Sequence, residues 1–305
     1  MAPVGGAAAP VTTSDALARG RLRASLVPDL LVEARRVVNT VIAGWHGRRR
    51  RGIGENFWQF RPYVEGESRS RIDWRRSARD DHIYIRDREW EAAHTVWLWA
   101  DPSPSMLYQS TAATVSKESR ALVLTLALAE ILSRSGERIA WPGVTDPFAA
   151  RNGAERLAAR LSHLRAPAAR PNLMSVRRFS DIVIVSDFLD PIEETQAWLG
   201  PLAQRGVRAH LVEVSDPAEE TFPYAGRTEF HDPETGERLT AGRAETLGED
   251  YRRLYAARRQ ELDIWCKRLG WSYTVNHTDR LASEALVKVH MAMTVDPGLG
   301  HGVHG

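Results

Sequence analysis

Two stretches of this chain are apolar on both faces when written as extended strands, and that property constrains the fold more than any other. In Thr95-Val96-Trp97-Leu98-Trp99-Ala100, Val96, Leu98 and Ala100 fall on one side and Trp97 and Trp99 on the other. Asp181-Ile182-Val183-Ile184-Val185 is apolar and β-branched almost throughout. A strand without a polar face must be covered on both sides, the condition of a parallel sheet held between layers of helices.

The flanking sequence supplies such layers. The pattern predicts strands at 94–100, 137–142, 180–186, 207–214 and 271–276, alternating with helices at 116–134, 153–164, 191–205, 244–269 and 279–293. Gly206 and Gly270 stand where helices end and strands begin. This rhythm predicts an α/β domain, a doubly wound and mostly parallel sheet, over 94–294. An inserted hairpin at 227–241, with its turn at Asp232-Pro233-Glu234-Thr235-Gly236, is expected to cover a sheet edge.

Ahead of this domain, Leu30, Leu31, Ala34, Val37, Val38, Val41, Ile42 and Trp45 recur at helical spacing, and Pro28 suits a first turn, so a helix is expected from Pro28 to Trp45. It joins an arginine- and aromatic-rich, partly β accessory segment to give a unit at 28–93, between a disordered tail at 1–27 and a flexible one at 295–305. From Trp45 to Arg79 there are ten arginines against four acidic residues, a local excess suited to docking an acidic partner. The interleaved Glu65, Glu67 and Asp73 argue against a nucleic-acid surface.

The 305 residues, 43% of them hydrophobic, suffice for one large core plus an accessory segment. A single cysteine, Cys266, excludes an intramolecular disulfide and fits a small core side chain. The longest apolar run, 121–129, is well short of the roughly 20 residues of a membrane span. No signal peptide is apparent, and a soluble, cytoplasmic protein without membrane contact is expected.

The chemistry concentrates in Asp101-Pro102-Ser103-Pro104-Ser105, which follows the first strand and so belongs to the carboxyl edge of the sheet, where open α/β sheets bind ligands. Asp101, Ser103 and Ser105 offer only hard oxygen donors, suited to Mg²⁺ or Mn²⁺. Asp187 follows the strand expected beside it, and two carboxylates meeting there would need a cation between them. Asp190 and Asp216 follow strands at the same edge, each before a proline that also suits the start of a helix or turn.

This pattern resembles the metal-ion-dependent adhesion site of von Willebrand factor A domains, where D-x-S-x-S forms the first loop, a threonine the second and an aspartate the third. Asp101, Ser103 and Ser105 match the first loop and Asp187 the third; Asn172 or Ser175 stands where the threonine would be, with Asp190 as a further loop oxygen. Arg61-Pro62-Tyr63, Gly66-Glu67, Arg69, Ile72-Asp73-Trp74, Ala78-Arg79 and Glu89, ahead of the D-x-S-x-S strand, resemble the bacterial domain-of-unknown-function family fifty-eight. That resemblance, over roughly 28–293, implies a von Willebrand A-like domain and partnership with a MoxR-type AAA+ ATPase in a chaperone-like machine acting on an unidentified client protein. It implies no known reaction.

The expectation is therefore a non-catalytic interaction module with Mg²⁺ or Mn²⁺ at Asp101, Ser103, Ser105 and Asp187, and with Arg61, Tyr63, Glu67, Arg69, Asp73, Trp74 and Arg79 as a partner surface. Glu67 or Asp73 offers an internal carboxylate that would hold the site closed. The alternative is a Mg²⁺-dependent phosphohydrolase using Asp101, against which Ser103 stands where such enzymes carry a second aspartate. No P-loop motif occurs anywhere in the chain.

Overall fold

The computed structural model describes residues 13–46, 59–64, 72, 74–79, 82–87, 94–164 and 170–294. They divide into two compact units, one formed by residues 1–43 and 94–305 and the other by 44–93.

The larger unit is built on a six-stranded sheet. Its strands are β3 (Thr95–Ala100), β4 (Arg138–Trp141), β5 (Thr145–Phe148), β6 (Ser180–Ser186), β7 (Arg208–Ser215) and β10 (Ser272–His277), in spatial order β10-β7-β6-β3-β4-β5. All neighbours are parallel except β4 and β5. β5 was not expected from the sequence: it has four residues, with Asp146 and Pro147 in its middle, and a proline is tolerated there because the strand lies at an edge. Since β3 is followed by β4 on one side and β6 on the other, the strand order reverses between β3 and β6. That reversal is the ligand-binding crevice of an open α/β sheet.

The doubly apolar strands lie where their composition requires. Every residue of β6 is buried, as are residues 96–100 of β3. On one side, α3 (Lys117–Arg134) packs with α4 (Gly153–Ser162) and α8 (Ala282–Thr294); on the other, α5 (Ile192–Gln204) packs with α7 (Gly248–Arg268). Trp99 meets Trp198 of α5 edge to face, with ring centroids 5.2 Å apart. Cys266 is buried in the same core.

The helix α1 (Thr13–His46) is longer than its sequence pattern suggested, and Pro28 lies inside it. Residues 13–27 are thus helical as far as they are described, which corrects their assignment to a tail. The cause is burial: Val27 joins Leu30, Ala34, Val38 and Val41 in the main core, so the chain gains more by extending the apolar stripe than it loses at the exposed Pro28. This helix therefore belongs with the larger unit rather than with the accessory segment. Arg35 reaches Glu130 of α3 at 3.7 Å. α3, which carries the longest apolar run of the chain, is buried along nearly its whole length.

The hairpin appears as β8 (Thr228–His231) and β9 (Arg238–Ala241), a separate two-stranded sheet. In the smaller unit, β1 (Gln59–Pro62) pairs antiparallel with β2 (Tyr84–Asp87), and the short helix α2 (Trp74–Ser77) lies between them in sequence.

Leu98 is fully buried at the centre of β3. Leu98→Ala is expected to cost about 2–5 kcal/mol through lost burial and a residual cavity. Equilibrium urea unfolding measures this, with Leu98→Met expected to cost much less.

Candidate functional site

Asp101 follows β3 immediately and still bonds to its neighbour, its amide donating to the Val185 carbonyl at 2.8 Å. Its side chain is buried. One carboxylate oxygen accepts from the Ser103 amide at 2.8 Å, closing an Asx turn, and the other accepts from the Ser186 hydroxyl at the end of β6 at 2.6 Å. The next turn, Pro104–Leu107, is a single 3-10 turn that brings the Ser105 hydroxyl to 3.2 Å from that of Ser103. The Ser105 hydroxyl also lies near the Asp187 carboxylate, which accepts from the Leu189 amide at 3.3 Å. Asp101, Ser103, Ser105 and Asp187 therefore meet at the switch point between β3 and β6. Burial pushes the Asp101 carboxyl up to about 6, helped by the charge of Asp187 and opposed by the hydrogen bonds from Ser186 and Ser103.

Asp187 is held by a residue that sequence reasoning missed. Lys117, the first residue of α3, is 1% exposed, and its ammonium donates to Asp187 at 2.9 Å and to Glu219. Burial alone would lower the Lys117 pKa, but the two carboxylates overcome this and raise it. Burial likewise works against the charged form of Asp187, and the ammonium reverses the balance and holds its pKa below the usual range. A signal for Lys117 existed. A lysine at a helix N-terminus faces the positive end of the helix dipole, a poor place for a cation unless anions lie beside it.

Glu219 is fixed by the capping box of α6 (Pro217–Thr221): its other oxygen accepts from the Asp216 amide at 2.9 Å. Asp216 accepts from the Ala218 amide at 2.9 Å and from the Ser110 amide at 2.8 Å, so it acts as a helix cap and loop tie. On the opposite side, the Arg258 guanidinium donates to the carbonyls of Asp187, at 3.1 Å, and Phe188. It steadies a turn in which Phe188 takes a left-handed φ of 48°.

The hairpin corrects a further expectation. It forms its own sheet, and its turn reaches the D-x-S-x-S loop, where Glu234 accepts from the Ser105 amide at 3.0 Å. Glu67 and Asp73, the internal carboxylates expected from the sequence, lie outside the described residues.

Other expected site residues are placed elsewhere. Asn172 is exposed and accepts from the Met174 amide at 2.8 Å within its own loop; Ser175 is exposed; Asp190 is exposed and paired with Arg170 at 2.6 Å. These three are not part of the hydrogen-bonded cluster described above, because the 170–176 loop closes on itself and on α5 rather than on β3. Of the expected partner surface, Tyr63 is half-buried, Arg79 is exposed and Trp74 is 62% exposed. The Arg61 side chain, Glu67, Arg69 and Asp73 lie outside the described residues.

Among the described residues, no three carboxylate, imidazole or thiolate groups gather at metal-ligand spacing. A cation here would rely on serine hydroxyls and water beside Asp101 and Asp187. That donor set fits Mg²⁺, which keeps much of its water and takes one or two carboxylates. The charge fits as well. Asp187 and Glu219 share the ammonium of Lys117, Asp101 lies close enough to Asp187 to feel its charge, and Arg258 is committed to Glu213 at 3.2 Å and to backbone carbonyls.

Residues 59–261 match the family described as "Protein of unknown function DUF58". The chain belongs to this family. An uncharacterized protein of Mycobacterium tuberculosis is 28% identical over 252 residues, covering 75% of this chain and 76% of its own. Among solved structures, an aerotolerance-related membrane protein from Bacteroides fragilis is 13% identical with a TM-score of 0.37, over 66% of this chain and 98% of its own. BatB, a conserved hypothetical protein from Bacteroides thetaiotaomicron, has the same identity and TM-score, over 67% and 100%.

The cytoplasmic expectation is corrected here. It had rested on the lack of a membrane-length apolar run, and an absence of that kind is no evidence for a compartment. No helix among the described residues is long and apolar enough to cross a membrane, but that property does not assign a compartment.

Lys117→Met is expected to destabilise the fold by about 3–5 kcal/mol, because it leaves two buried carboxylates without their cation. Lys117→Arg should not restore it, since a guanidinium does not fit a pocket closed around one ammonium. Thermal and urea unfolding of both variants check this.

Proposed function

We propose that the chain is a non-catalytic protein-interaction module of the von Willebrand A-like kind, whose contact centre is the oxygen cluster at the switch point. It serves as an adaptor for a MoxR-type AAA+ ATPase in protein maturation or complex assembly. The observation that carries this reading is the meeting of Asp101, Ser103, Ser105 and Asp187 from two adjacent parallel strands, beside an excess of negative charge.

Asp101, Ser103 and Ser105 would hold Mg²⁺ or Mn²⁺, with Asp187 bound directly or through water. When bound, the ion supplies a positive centre able to take a carboxylate from a partner. The chain's own residues do the rest. Ser186 and the Ser103 amide orient Asp101, and Lys117 pins Asp187, so the donors are set before any partner arrives. The arginine-rich smaller unit, with Tyr63, Trp74 and Arg79, supplies a second surface for the ATPase.

Isothermal titration of Mn²⁺ into the chain should show saturable binding that Asp101→Ala abolishes. The ATPase should co-purify with the tagged chain in Mg²⁺ and be released by EDTA. Unchanged metal binding in the variant sinks the assigned ligands, and retention of the ATPase in EDTA sinks metal-dependent capture.

A further inference from the structure

We propose that Glu234 is the site's own ligand: the D-x-S-x-S loop recognises a glutamate carboxylate presented by a tight turn, and in the isolated chain the hairpin presents that group in cis. This rests on the carboxylate-capture reading above and names the partner's chemistry, an acidic turn that must displace the hairpin.

Three observations carry it. Glu234 lies 129 residues from Ser105 in sequence, yet it accepts from the Ser105 amide at 3.0 Å. Its carboxylate therefore approaches the same serine whose hydroxyl faces Asp187.

The turn is built to hold that carboxylate out. Asp232 accepts from the Glu234 amide and from the Thr235 hydroxyl, both at 2.8 Å. The Gly236 amide donates to the Asp232 carbonyl at 2.9 Å, and Gly236 takes a φ of 77°, open to glycine at no steric cost. With the backbone fixed, only the Glu234 side-chain torsions are left to be ordered on binding.

The hairpin is also anchored at its base while its strands stay largely exposed. Phe230 stacks on Phe222 at 5.6 Å and meets Tyr224 edge to face at 5.2 Å. The Tyr224 hydroxyl bonds to that of Tyr108 at 2.6 Å, and Tyr108 ends the turn that carries Ser105. Beyond this aromatic base, no residue of β8 or β9 is buried, so the tip is free to lift without opening the core.

An occupied site takes up an external ligand only in the fraction of molecules whose latch is open, so removing the latch should raise apparent affinity. The probe is a fluorescein-labelled peptide copying residues 231–237, titrated in Mg²⁺ against the full chain and its Glu234→Ala variant and followed by anisotropy. A control peptide carries glutamine at the position of Glu234. We expect the variant to bind the peptide about tenfold tighter than the unaltered chain, with the control peptide failing on both. Equal affinity of the two chains for the peptide overturns the proposal.

Hydrogen–deuterium exchange over residues 102–107 gives a readout independent of the peptide. Glu234→Ala should raise exchange there by freeing the Ser105 amide, and unchanged exchange overturns the latch contact. Raised exchange with no peptide bound by either chain overturns carboxylate recognition, and with it the reading of the site as a carboxylate receptor, leaving Glu234 as a structural tie. Loss of Mn²⁺ binding alone does not reproduce that pattern, so the two failures are distinguishable.

Discussion

The arrangement of the carboxyl edge depends on one buried ammonium. Lys117 brings a positive charge to a place sealed from water, where Asp187 from the turn after β6 and Glu219 from the helix after β7 would otherwise repel each other. Unpaired charges in such a place are strongly disfavoured, so the ion pairs fix three chain segments relative to one another. They join the start of α3 to the ends of two strands that the sheet hydrogen bonds alone would leave free at their tips.

The D-x-S-x-S loop is joined to these segments through the end of β6. Asp101 is held by Ser186, which belongs to the strand before Asp187, and the 187–188 turn is clamped by Arg258 from α7. Helices from both sides of the sheet thus converge on the crevice between β3 and β6. The charge left over is negative, with two carboxylates sharing the one ammonium of Lys117. Glu234 takes the Ser105 amide, so the hairpin is part of the site rather than an edge cover.

Much of the fold was legible in the residues. Burial on both faces is written into Val96 to Ala100 and Ile182 to Val185, and the helices between strands show their apolar stripes; observed element ends fall close to those expected from 94 onward. The misses have physical causes. β5 is four residues long with a proline in it, too short for a periodic signal. The early start of α1 was hidden by Pro28, which normally marks a first turn but here sits on the exposed side of a helix whose other side, at Val27 and Leu30, is buried. At the site, Asp101 and Asp187 could be read because each directly follows a recognisable strand, and Ser103 and Ser105 because they alternate with prolines just behind Asp101. Asn172, Ser175 and Asp190 could not be placed, because nothing in a loop's composition says which way it folds back.

By itself the sequence determined that this chain makes a helix-covered, mostly parallel sheet and that its polar oxygens follow the two strands that are apolar on both faces. Both conclusions follow from local patterns, the alternation of side chains along a strand and the residue that comes next. Only the tertiary structure decided what those oxygens face. Lys117 meets Asp187 across 70 residues and Glu219 across 102, and Glu234 meets Ser105 across 129. Contacts of that span are set by how the layers stack and where the hairpin leans, and no period in the sequence carries that information.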